Sequence, residues 1–193
     1  MNLLKRIWLY LHKTNEVKVK DSALSAANYF IDLSLSQGIP LKPLKLMKLV
    51  YIAHGFMLAS SGRTFLDSRF DRVEAWKYGP VIPSVYHSFK QYGNTPIDKK
   101  TVVFVSEDAD NGNADIQTPL LNDEYAKRVC NFVWKRYKRF SDSDLVYVLH
   151  GAGTAWAKVY EDGKNNIIPD EMTRLYYRGL IRVLNEEAKN GKN

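Results

Sequence analysis

Cysteine is nearly missing from this chain: Cys130 stands alone among 193 residues. That excludes an internal disulfide framework and argues against a thiolate metal site. It suits a reducing, cytoplasmic setting. Long apolar runs are missing too, so no membrane span is expected. The start, "MNLLKRIWLYLHK", is interrupted by Lys5 and Arg6 and lacks a small-residue cleavage site, so a secretory leader is not expected. Catalytic signatures are equally scarce. His12, His54, His87 and His150 form no helical pair with an acid, and neither a nucleophile elbow nor a phosphate loop occurs. "HGAGTAW" has two glycines but no preceding strand and no lysine. Cys130 follows Val129 on an apolar helical face, where thiols are inert. The expectation is a protein that is not an enzyme and needs no cofactor or metal.

What is present is an ordinary globular composition, 45% hydrophobic and 25% charged. The length fits one domain with a real core. The net charge is +7 and unevenly spread. Residues 1–50 hold eight Lys or Arg against three acids, whereas Glu107 to Glu124 contains six acids and no cation. Leu4, Ile7, Trp8 and Leu11 repeat at helical spacing and predict a short amphipathic helix, packed on the body or turned to a membrane surface or partner.

Further on, Asp21 is placed to cap a helix that ends at Gly38, with Leu24, Ala27, Phe30 and Ile31 inward. Pro43 opens a second helix, "LKLMKLVYIAHGFMLAS", apolar round most of its circumference and so expected at the centre of the core. An extended stretch follows, with Phe70, Val73, Ala75 and Trp76 as candidate inward residues. Pro83 opens a helix closed by Gly93, and "TVVFV" predicts a strand. "SEDADNGNAD" reads as an exposed acidic loop. Helices over "DEYAKRVCNFVWKRYKRF", "DSDLVYVLH" and "PDEMTRLYYRGLIRVLNEEAK" complete the chain. The fold class is mainly α: a single compact helical domain with a small antiparallel β element near residues 70–105. Residues 1–20 form an amphipathic extension, 21–188 the domain and 189–193 a frayed tail.

Three blocks carry a resemblance: "PLKLMKLVYIAHGFMLA", "AWKYGPVIPSVYHSF" and a late "LVYVLH" followed by Trp156. In order and spacing they resemble the Panacea domain of SocA-like antitoxins and phage-associated GepA-type proteins. The motif positions are Leu46, Leu49, Tyr51, Trp76, Gly79, Pro80, Pro83 and Trp156. The resemblance implies a mainly helical domain and an antitoxin that binds a toxin encoded nearby, with a link to phage defence or a prophage as a further expectation. The chain departs from the family pattern at Lys42, where Ser or Thr is usual, at Met47, where Gln is common, and at Phe56, where Trp is common. Losing a side-chain cap at Lys42 should cost about 1 kcal/mol.

Two surfaces compete as contact sites. The Gly-Pro corner reads as a core bend with Trp76, Val81, Val85 and Phe89 packed inside. Tyr78, Tyr86 and His87 stay at its rim as anchors for a partner, together with Trp8. "KRYKRF" interleaves Lys135, Arg136, Lys138 and Arg139 with aromatics, a pattern that can grip nucleic acid. On a helix, however, Val129, Phe132, Val133 and Phe140 face inward and the cations form a solvated face. Neutralisation of a cognate toxin by direct binding is therefore the first expectation. A nucleic-acid-binding regulator, or an adapter that delivers a partner to a protease or chaperone, are the alternatives.

Overall fold

A computed structural model describes residues 20–106 and 114–190 of the chain. Trp8, His12, the N-terminal amphipathic stretch before residue 20, and residues 191–193 lie outside them. Helix α1 (Ala23–Gln37) begins with a reciprocal cap: the Ser22 side chain accepts from Ser25 N–H, and Ser25 Oγ accepts from Ser22 N–H. Asp21, expected to be this cap, instead accepts from the backbone N–H groups of Asn122 and Asp123 at 2.8 and 2.9 Å. Its carboxylate thus ties the start of α1 to the segment that leads into the helix at Glu124. Lys42 lacks a capping side chain, and helix α2 (Pro43–Ser61) opens on the fixed φ of Pro43.

Helix α2 is the centre of the core. Leu46, Leu49, Val50 and Ala53 are fully buried, and Tyr51 nearly so. Helix α4 (Glu124–Tyr137) lies antiparallel to it. Lys45 near one end of α2 donates to the Lys138 and Phe140 carbonyls, and Arg63 beyond the other end pairs with Asp123 at 2.9 Å. Those carbonyls lie just past the C-terminal end of α4, where helix carbonyls lack an intrahelical N–H partner. Burial lowers the Lys45 pKa, while Asp142 and Asp144 act in the opposite direction. Helix α7 (Asp170–Asn190) crosses α2 at Gly55. A Cβ there would lie inside the van der Waals envelope of the Tyr177 ring, so only glycine lets the two helices approach this closely.

The β structure is small and antiparallel, as the sequence suggested, but it is divided into two sheets. Strands β1 (Glu74–Trp76) and β2 (Gly79–Val81) form a tight hairpin, and β5 (Asn166–Ile167) pairs with the other side of β1. Pro80 lies on the edge strand, opposite Ala75. Helix α3 (Pro83–Phe89) follows directly. A second, separate sheet joins β3 (Val103–Ser106) to β4 (Ala114–Gln117), so part of the expected acidic loop is a strand. Helices α5 (Asp142–His150) and α6 (Ala155–Val159) connect α4 back to the hairpin. Seven helices and two small antiparallel sheets make the described residues mainly α.

Two inward assignments change. Phe70 is 73% exposed, because Asp67 to Asp71 forms a turn rather than extended chain. Phe132 is 45% exposed and only its edge meets Phe56, at 5.1 Å between ring centroids. Val73 and Ala75 are buried as expected.

Candidate partner-binding site

The hairpin corner is braced from below by α2, α5 and α6. Gly79 has φ +99, a conformation that a side chain rarely adopts, and it sits directly over two polar groups. One is Lys48 of α2, whose Nζ donates to the Pro80 carbonyl at 3.0 Å. The other is His150, at the end of α5, whose Nε2 is buried without a hydrogen-bond partner among the described residues. Burial pushes the Lys48 pKa down to about 7. Burial and then the nearby Lys48 amine push His150 below the ordinary histidine value. A charged Lys48 is costly there, since it has one acceptor for three donors.

Aromatic rings complete the brace. His150 stacks on Trp156 at 3.8 Å, and Trp156 on Tyr160 at 4.4 Å. The Trp156 indole N–H reaches the Trp76 carbonyl at 2.9 Å. This bond explains why the motif tryptophan lies so far along the sequence from the corner that it holds. Trp76 is half-buried rather than enclosed. Its indole N–H donates to Glu74, which also accepts from Arg72, and its ring meets the Tyr86 ring edge-on at 4.8 Å. Beneath, Val81, Val85 and Phe89 are buried as the core-bend reading expects.

Among the described residues, the outer side of the same corner is uncovered. Tyr78, in the turn between β1 and β2, is 62% exposed. Tyr86 is half-buried and His87 is exposed, with their rings 5.2 Å apart. The structure therefore places three of the four predicted contact residues on or beside one hairpin; the fourth, Trp8, lies outside the described residues. Among the motif positions, Leu46, Leu49, Tyr51, Gly79, Pro80 and Trp156 are buried, while Pro83 is half-buried at the start of α3.

The competing cationic run looks different once folded. Lys135, Arg136 and Arg139 are exposed and Lys138 is half-exposed. Trp134 and Tyr137 are core residues, so the aromatics interleaved with these cations are not offered for stacking. Lys138 and the Trp134 indole both donate to Gln37.

His54 lies elsewhere, in a hydroxyl–imidazole–carboxylate chain. Thr64 Oγ1 stands 3.0 Å from Nδ1 and Asp170 Oδ1 stands 3.0 Å from Nε2. Thr64 also accepts from Leu66 N–H, so every group is satisfied if its hydroxyl donates to Nδ1 and Nε2–H donates to Asp170. That bond from His54 lowers the Asp170 pKa. The chain ties α2, the following loop and α7 together. Cys130 is buried, and burial pushes its thiol pKa up.

Sequence reasoning missed Lys48 and His150 as a pair. The available signal was a lysine within the apolar run of α2; nothing in the sequence pairs it with a residue a hundred positions away.

Comparison with known proteins agrees with the motif blocks. The family model for SocA-like antitoxins with a Panacea domain matches residues 46–157, more than half of the chain. The chain therefore belongs to that family. It is 34% identical to antitoxin SocA of Caulobacter vibrioides over 134 residues, covering 69% of this chain and 68% of the relative. No solved structure matches it. The matched span holds α2 from Leu46 onward, the corner, α5 and Trp156, the elements that build the brace. Among the described residues no helix is long and apolar enough to cross a membrane.

Proposed function

We propose that this protein neutralises a co-encoded toxin by binding it directly, through the exposed side of the Gly-Pro corner and without chemistry of its own. The observation that carries this reading is a turn fixed from beneath by Lys48 and Trp156 while Tyr78 projects from it. A rigid aromatic on a rigid turn loses little entropy when a partner closes over it, which is what an interface anchor needs. Tyr86 and His87 extend the contact, and a toxin partner follows from the antitoxin family. The one free, buried thiol fits a cytoplasmic setting. Delivery of the bound toxin to a protease or chaperone would use the same contact and adds a second partner.

The product of the neighbouring reading frame is the test partner. Co-expression should restore growth to cells that carry it, and the two purified proteins should form a complex in calorimetry. No complex, together with duplex DNA binding that falls steeply with salt, would replace this reading by a nucleic-acid regulator.

A further inference from the structure

Helix α4 packs on α1 and α2 and turns its opposite face outward. Along that face stand Arg128, Phe132, Lys135, Arg136 and, just past the last turn, Arg139, all of them exposed. Steps of three and four residues put them on one stripe, about 16 Å long. A stripe facing water is normally polar throughout. Here a phenylalanine, 45% exposed, stands in the middle of the cations. Phe56 of α2 holds its ring from below, edge-on at 5.1 Å, and Tyr177 holds Phe56 in turn, edge-on at 5.0 Å. Arg128 and Arg136 lie over the rings of Tyr125 and Tyr137, at 5.3 and 5.8 Å. Among the described residues no carboxylate pairs with Arg128, Lys135, Arg136 or Arg139. The nearby acids are taken: Asp123 by Arg63, Glu124 by Lys127, and Asp144, which lines a hollow with Arg139, by the Ser141 N–H.

We propose that the outer face of α4 is a second contact surface, which takes an acidic amphipathic helix of a partner protein. The apolar stripe of that helix covers Phe132, and carboxylates on either side of the stripe meet Arg128, Lys135, Arg136 and Arg139. Complementary charge selects the partner and speeds the encounter, while burial of Phe132 supplies the apolar anchor. A nucleic-acid backbone fits less well: it would meet the cations but bring nothing apolar to Phe132, and Trp134 and Tyr137 are buried away from any base. A second copy of this chain would set the same cations against one another. The first twenty residues are repelled as well, since they carry Lys5, Arg6, Lys13, Lys18 and Lys20 against Glu16 alone. The proposal does not depend on the toxin reading, since it concerns a different surface and a defined peptide tests it.

The experiment is a titration of the nitrogen-15-labelled full chain with the amphipathic peptide ELEELLAELEELLAE. The control is KLKKLLAKLKKLLAK, the same pattern with lysine for glutamate. Saturable shifts in the amide signals of residues 128–139 are expected with the acidic peptide alone, fading in 0.5 M salt. Lys135→Glu/Arg136→Glu changes two exposed, unpaired side chains and should weaken binding at least about tenfold with the other helix signals in place. Phe132→Ala tests the apolar anchor separately and should weaken it at least several-fold. Absence of shifts on α4, equal shifts from both peptides, or full binding by both variants would overturn the proposal. So would a DNA duplex that moves the same signals at lower concentration than the acidic peptide, which would assign the face to nucleic acid. A rise in molecular size with protein concentration that the charge-reversed variant removes would overturn it too, in favour of a second copy.

Discussion

The crossing of α2 with α7 and the Gly-Pro corner are both rigid, but for opposite purposes. At the crossing, Tyr177 fills the space that Gly55 leaves, and both residues are buried. At the corner, an equally dense brace of Lys48, His150 and Trp156 supports a turn whose outer side is open. Contacts at the crossing hold the fold. Contacts under the corner hold a surface in place. Variants at the two places should therefore separate stability from binding.

The largest loss should come from the crossing helix itself. Leu49 is fully buried, so Leu49→Ala should lower stability by about 2–5 kcal/mol in denaturant melts. A loss below about 0.5 kcal/mol would show that α2 is peripheral. Gly55→Ala forces Tyr177 aside and should cost about 1–3 kcal/mol. A smaller residue at Tyr177 should recover part of that loss, and failure to recover any would break the link between the two positions.

Under the corner the predicted signature is pH rather than a simple loss. Burial holds Lys48 at a pKa of about 7, whereas an unfolded lysine titrates near about 10.4. Between those values the unfolded chain binds more protons, so this residue makes stability rise with pH from about 7 toward about 10. Lys48→Met should remove that rise. The stability difference between variant and wild type should change by about 1 kcal/mol or more between pH 7 and pH 9. Parallel curves for the two proteins would contradict a buried, titrating amine. The smallest effect on folding belongs to the open side: Tyr78→Ala should change stability by no more than about 0.5 kcal/mol.

The helices were legible because each carries local signals. Pro43, Gly38 and Pro83 mark boundaries that the structure keeps, and the apolar circumference of α2 places it at the core. Local signals failed where a distant partner decides the outcome. Asp21 looked like a cap, yet its carboxylate is used about a hundred residues away at Asn122 and Asp123, and Ser22 caps instead. Strand β4 was hidden because its composition is that of a loop; it is a strand only because β3 lies beside it and Asn28 holds both feet. Phe70 looked inward by its chemistry alone, but the turn at Asp67 points it out. The aromatic residues that stand at the rim of the corner could be named from the Gly-Pro pair and its neighbours. The brace that makes them rigid spans four elements and has no local pattern.

The most direct measurement is the affinity of the purified toxin for wild type and for Tyr78→Ala/His87→Ala, with thermal melting in parallel. Unchanged melting with affinity lowered by at least about 30-fold, the equivalent of about 2 kcal/mol, is the predicted result. Unchanged melting with affinity within about twofold of wild type would place the toxin elsewhere and contradict the account.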